Sequence, residues 1–193
     1  MQNVKEDPRV IRTRNLVIDA FLALIKEKDF HSISVRDITE HAMINRSTFY
    51  NHFPDKYKLL EKIVNQMMLN RGFEKITHVS KLDKDTFRLL VYSFCDLVEE
   101  LKQTFGRNYS TVVMIMETEL KDKLIEVIST FFKSDDSDQN ILVATMLVSS
   151  IYSASCSWIN GNKKVSREAF FQSILPFLMG SISQLTILKK SVV

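Results

Sequence analysis

Arg36, Asn45, Arg46, Ser47, Thr48, Tyr50, Asn51, His52 and Lys56 crowd into one short stretch, ISVRDITEHAMINRSTFYNHFPDKYKLL, at residues 33–60. Nothing in that stretch pairs a nucleophile with a base or spaces ligands for a metal. The set is suited to hydrogen bonding with base edges and phosphates. Arg46 can span guanine O6 and N7 with two donors, and Asn51 can read adenine or bond to the backbone. Ser47 and Thr48 are short enough for close approach, and Thr48 offers a methyl group to thymine. Tyr50, His52 and Lys56 suit phosphate oxygens, and Arg36 suits a phosphate or a base. Asn45 stands where a helix N-cap would leave amides free for a phosphate. Singly, each has a plainer reading, as a solvated charge or a side chain at the edge of a core. The combination points to nucleic acid.

Such a set needs a short helix held outward, and the flanking residues supply one. Ser34 is a good N-cap, and Asp37 three residues on makes a weak capping box for a helix carrying Ile38 and Ala42 inward. The next helix runs from Asn45 through Phe53, with Phe49 and Phe53 as its buried side. Pro54 halts it, and Asp55 can cap a further helix at 56–70 with Leu59, Leu60 and Ile63 on its apolar face. Upstream, residues 9–28 place Val17, Ala20, Phe21, Leu24 and Ile25 on one helical stripe. Two short helices meeting at a turn, braced by a third, describe a helix-turn-helix, whose second helix enters the major groove. Lys5, Arg9, Arg12 and Arg14 make the N-terminal end basic, either as a solvated tail or as an arm near phosphates.

SVRDITEHAMINRSTFYNHFPDKYKLL, preceded by LVIDAFLALIKEKDF, resembles the DNA-binding domain of the TetR/AcrR family of bacterial transcriptional regulators, over residues 12–63. The resemblance implies a two-domain, all-helical protein: an N-terminal helix-turn-helix domain at 1–58 and a C-terminal helical bundle at 59–193 that binds a small ligand and dimerises through its last two helices. It places Arg36, Arg46, Ser47, Thr48, Tyr50, Asn51, His52 and Lys56 at the DNA-facing positions. Two residues depart from the pattern. Met43 stands where the family has Gly in the turn, and Asp29 where Gly often ends the first helix. Left-handed geometry is costly for a side chain such as Met, so a reshaped turn is expected. Further on, SWINGNKKVSREAFFQSI is similar to the branch named for dihydroxyacetone-kinase regulators, in which at least one member acts through a protein partner.

The rest of the 193 residues reads as helical. Gly and Pro are scarce and no run alternates apolar with polar, which together favour an all-α chain. The net charge of +3 is too mild to imply nucleic acid by itself. Residues 86–105 keep a clean helical period, then Gly106-Arg107-Asn108 breaks it. A short apolar segment at 112–116, a helix at about 119–132 and a polar loop at 133–138 follow. Helices at about 139–159 and 166–188 come last, with a turn at 160–162 and a kink expected at Pro176. Residues 141–159 approach membrane-spanning length, but their Ser and Ala content and amphipathic neighbours favour a helix buried on several sides. Cys95 and Cys156 lie in apolar stretches without ligand spacing and are expected reduced, and the histidines show no metal spacing.

Tyr92, Phe94, Met114, Met116, Tyr152, Cys156 and Trp158 are candidates to line a cavity for a small apolar or aromatic effector. The stripe Phe170, Phe171, Ile174, Leu175, Phe177, Leu178, Ile182 and Leu185 is too broad for one partner, which points to a four-helix dimer interface. Such a dimer sets two recognition helices about 34–36 Å apart, or a multiple of that spacing. The expectation is a cytoplasmic homodimeric regulator of double-stranded DNA. It would be a ligand-responsive repressor on a palindromic operator, with no cofactor, metal, membrane partner or catalytic activity. The alternative is a coactivator that works through protein–protein contact with another DNA-bound regulator.

Overall fold

The computed structural model of the chain describes residues 7–132, 137–161 and 164–188, with backbone alone for 183–188. Lys5 of the basic arm, most of the 133–138 loop, Asn162 and the side chain of Leu185 lie outside the described residues. The described residues form nine α-helices and two short 3-10 turns, with no strand among them. The helices are α1 (Pro8–Glu27), α2 (Val35–His41), α3 (Arg46–Tyr50), α4 (Lys56–Asn70), α5 (Phe73–Ile76), α6 (Lys84–Phe105), α7 (Tyr109–Ser129), α8 (Ser137–Asn160) and α9 (Arg167–Leu188). The 3-10 turns are Phe30–Ser32 and Gly106–Asn108.

The chain divides into two compact units. The first takes the stretch up to Gln66 together with Leu101–Met116, and the second takes Met67–Glu100 and the chain from Glu117 onward. In the first unit, α1 starts where Asp7 accepts the Arg9 amide at 2.8 Å and Pro8 occupies the first turn, a position where its missing N–H costs nothing. Its buried residues are Val17, Ala20, Phe21, Leu24 and Ile25, the stripe its periodicity predicts. Phe30, Ile33, Ile38, Phe49 and Phe53 join that stripe in the core, and Phe21 meets Phe30 edge to face at 6.2 Å.

The second unit is built on α6, whose Phe87, Leu90, Val91, Phe94, Leu97 and Val98 are buried. Phe94 packs edge to face with Phe73 at 5.1 Å and with Tyr152 at 5.8 Å. α8 is long and apolar enough to cross a membrane. Its buried residues Ala144, Leu147, Val148, Ile151, Tyr152, Ser155 and Ile159 recur at helical spacing and make one packed face. The other face exposes Ile141, Leu142 and Met146, so this helix is covered on one side, not on several as its composition suggested.

One further expectation changes. Residues 109–129 are one continuous helix; the polar run Glu117-Thr118-Glu119 is carried through by i,i+4 pairs of Glu117 with Lys121 and of Glu119 with Lys123. Between α4 and α6 stands the single-turn helix α5, entered through Gly72 at φ 81°.

Candidate nucleic-acid interface

Helix α3 has five residues, too few to be stable alone. Its position comes from Phe49, fully buried, and Phe53, which packs on it at 5.8 Å. With those two rings held inside, Asn45, Arg46, Ser47, Tyr50 and Asn51 are exposed, and Thr48 and His52 are half-buried. The Tyr50 ring stands at a right angle to Phe49, 5.5 Å away, and is 54% exposed. Arg46 has no hydrogen-bond or ion-pair partner among the described residues. Asn45 occupies the cap position in extended conformation, but its side chain makes no cap hydrogen bond. Only its carbonyl engages α3, accepting the Phe49 amide at 3.2 Å. Arg36 is exposed on α2 and pairs with Glu40 at 2.6 Å, a contact that raises its already high pKa.

The preceding helix is fixed by the capping box read from the sequence. The Asp37 amide donates to Ser34 Oγ at 3.1 Å, and the Ser34 amide donates to Asp37 Oδ2 at 2.8 Å. Lys28 also reaches Asp37 at 2.8 Å. The hydrogen bond from Lys28, then those from Ser34, hold the Asp37 carboxyl far below the usual carboxylate range.

Met43 does not reshape the turn. It adopts the left-handed conformation itself, at φ 52°. Its amide donates to the Glu40 carbonyl at 3.3 Å, and the Ile44 amide donates to the Thr39 carbonyl at 3.1 Å. That bond pair is a Schellman motif, the usual ending of a helix at Gly. The Met43 side chain is 93% exposed and contributes almost no packing.

Asp29 resolves differently. α1 ends in extended backbone, with Lys28 at φ −119° and Asp29 at φ −69°, so no left-handed residue is needed there. The carbonyls of Ile25, Glu27 and Lys28 are met by side chains from the break between α6 and α7. Asn108 Nδ2 donates to the Ile25 carbonyl at 2.8 Å and to the Lys28 carbonyl at 2.9 Å, while Asn108 Oδ1 accepts the Phe30 amide at 2.8 Å. Arg107 donates to the Glu27 carbonyl and lies 3.6 Å from the Asp29 carboxylate. Sequence reasoning saw only a helix break at these residues. The available signal was indirect: a helix ending without Gly leaves carbonyls that must find donors elsewhere.

Lys56 departs from its expected role. Its ammonium donates to the carbonyls of Phe30 at 2.9 Å, His31 at 3.1 Å and Ile33 at 2.7 Å, and sits 4.7 Å from the Phe30 ring centroid. An ammonium has three donors, and all three are engaged, so Lys56 is not presented as a free phosphate contact. Partial burial pushes its pKa down. The connection from α1 to α2 is thus held on one side by Asn108 and on the other by Lys56.

The effector candidates scatter. Phe94, Met116 and Tyr152 are buried, Tyr92, Cys156 and Trp158 are half-buried, and Met114 is 71% exposed. An exposed residue lines no interior cavity, so Met114 leaves the set; Met116 falls in the first unit and the other five in the second. Tyr92 donates to Glu168 at 2.8 Å, and Trp158 stacks on Phe170 at 5.2 Å. Burial pushes the Cys95 thiol up to about 11, which keeps it protonated and inert.

These features define a helical protein with an outward-facing helix-turn-helix. Residues 17–63, the segment that carries the helix-turn-helix, match the family model for bacterial regulatory proteins, tetR family. The chain is 41% identical over 93 residues to the uncharacterized HTH-type transcriptional regulator YxbF of Bacillus subtilis (strain 168), covering 47% of this chain and 24% of that protein. It is 42% identical over 53 residues to DhaS of Lactococcus lactis subsp. lactis (strain IL1403), an HTH-type dhaKLM operon transcriptional activator, covering 28% of each. The matched stretches span only about a quarter of the length of either relative. Among solved structures, NalD of Pseudomonas aeruginosa, the secondary repressor of the MexAB-OprM multidrug efflux pump, superposes with a TM-score of 0.57 at 21% identity, covering 92% of this chain and 98% of that one.

Proposed function

We propose that this chain is a DNA-binding transcriptional regulator of the cytoplasm, without enzymatic activity, acting as a homodimer on a palindromic operator. The observation that carries the proposal is the polar edge of α3, held outward by Phe49 and Phe53 inside the segment that matches the tetR family. Residues 1–58 take the DNA and residues 59–193 take the effector and the second copy. Arg46, Thr48 and Asn51 read bases. Arg36, Asn45, Ser47, Tyr50 and His52 hold phosphates and set the register. Lys56 serves indirectly, by fixing the carbonyls of the loop ahead of α2.

The exposed Ile141, Leu142 and Met146 of α8, with Phe177 and Met179 of α9, are the apolar surface offered to the second copy. A small apolar or aromatic effector would act in the second unit near Tyr92, Phe94, Tyr152, Cys156 and Trp158. It shifts the dimer only by its differential affinity for the two states. Repression is the sign we favour, as NalD is named a repressor, although DhaS is named an activator. The coactivator alternative draws on Met43 and on the likeness of SWINGNKKVSREAFFQSI to the dihydroxyacetone-kinase-regulator branch; the turn accommodates Met43 without losing its geometry, which removes the first of these grounds.

Selection of bound duplexes from a random pool tests the proposal. Enrichment of an imperfect palindrome, with affinity falling steeply as salt rises, is the expected result. A pool that stays random after repeated rounds with pure protein overturns it.

A further inference from the structure

The end of α1 lacks the Gly that would let its own chain satisfy the final carbonyls, yet those of Ile25, Glu27 and Lys28 are satisfied. The donors come from Arg107 and Asn108, about 80 positions along the chain. Asn108 is 3% exposed, and its amide group makes three hydrogen bonds, two given and one accepted. The accepted one fixes the Phe30 amide, the first residue of the 3-10 turn that leads to Ser34 and α2. Phe30 is the residue whose carbonyl Lys56 holds from the other side, and whose ring packs against Phe21 and Tyr57. One buried side chain therefore fixes both where α1 stops and where the path into the helix-turn-helix begins.

We infer that Arg107 and Asn108 are positioning residues for DNA recognition: a helix cap delivered from the α6–α7 break that sets the entry of the chain into α2 and, through it, the presentation of α3. The inference rests on the reading of this protein as a DNA-binding regulator. The chemistry of the cap is specific. An amide can donate to two carbonyls and accept one N–H at once. A carboxylate in its place keeps the acceptor but turns a second acceptor toward Ile25 and Lys28, at the negative end of the helix dipole. Asn108→Asp is therefore a near-isosteric reversal of the cap.

The test uses the full-length protein, the duplex enriched from the random pool and a scrambled duplex of equal length. Asn108→Ala, Asn108→Asp and Arg107→Ala are compared with Leu120→Ala, a core change in the second unit, each at a temperature where it is folded by circular dichroism. For Asn108→Ala, affinity for the enriched duplex is expected to fall about tenfold, as for loss of a buried hydrogen-bonding group, with scrambled-duplex affinity unchanged. Asn108→Asp should lose at least as much, and Arg107→Ala, at an exposed side chain, less. Leu120→Ala should keep the ratio of the two affinities. Amide exchange followed by NMR supplies an arm independent of any variant's folding: in the unaltered protein the Phe30 amide should exchange as slowly as the α1 core amides. Fast exchange there overturns the cap. Slow exchange that is lost in Asn108→Ala, with the affinity ratio intact, overturns the positioning role. If the unaltered protein prefers no duplex, the regulator reading is what fails. The positioning claim is then judged by whether the Arg46–Asn51 amide resonances move in Asn108→Ala, and unmoved resonances overturn it.

Discussion

Replacing Met43 by Gly should make this protein more stable. The residue is left-handed at φ 52° and 93% exposed. For an L-residue the left-handed conformation costs roughly 1–2 kcal/mol, and a side chain in solvent returns little of it. Gly adopts the same geometry freely but loses more backbone entropy on folding, roughly 0.5–1 kcal/mol. The difference leaves a gain of about 0.5–1 kcal/mol, which for a chain of this size raises Tm by about 1–4 °C. The Schellman bonds from Met43 and Ile44 need no side chain, so the turn keeps its shape and operator affinity stays at its starting value. Urea unfolding is the assay, with an unchanged m-value as the sign that only stability has moved. Met43→Ala, which keeps a Cβ, separates the backbone effect from any loss of methionine contacts and should sit near the parent. Met43→Asn should recover part of the gain, because Asn tolerates this region. A Met43→Gly protein no more stable than the parent, beside a neutral Met43→Ala, would refute the strain argument.

Four more outcomes follow from the site. Asp37 has a depressed pKa in the folded state, so its stabilising effect is complete above the ordinary value near 3.9 and is lost as pH falls through the folded value; Asp37→Asn should lower stability at neutral pH and flatten acid unfolding below about pH 4. Lys56→Met removes the donor shared by three carbonyls and should cost about 1–2 kcal/mol by urea titration; unchanged stability would return Lys56 to the phosphates. Arg46→Ala should relax base preference at one operator position by about 1–3 kcal/mol, read by repeating the duplex selection. With its thiol raised to about 11 and fully buried, Cys95 should resist alkylation at pH 8 until the protein unfolds, while half-buried Cys156 reacts first.

What the sequence revealed was whatever local pattern encodes. The α1 stripe, the Ser34–Asp37 box, the Asp55 cap and the Phe49–Phe53 anchor each involve residues at most a few turns apart, and each is present. The polar edge of α3 was equally readable, because two aromatics four apart decide which side faces in. The roles of Lys56 and Asn108 were not readable, since their partners are backbone carbonyls 23 to 83 positions away and side-chain type says nothing of which carbonyl is waiting. Met114 misled because a methionine in an apolar run looks the same whether its helix face is covered or bare. The apparent break after Met116 was a misreading of polar residues that pair along one continuous α7.

Arg107 and Asn108 also bear on how this protein can be cut and reused. A fragment stopping at Asn70 encodes the whole helix-turn-helix yet omits the two side chains that finish its first helix. Such a truncation exposes the carbonyls of Ile25, Glu27 and Lys28 and frays the approach to α2. A chimera that borrows the reading head must bring residues 101–116 along with it, or install Gly after Lys28 so that the severed helix can close itself.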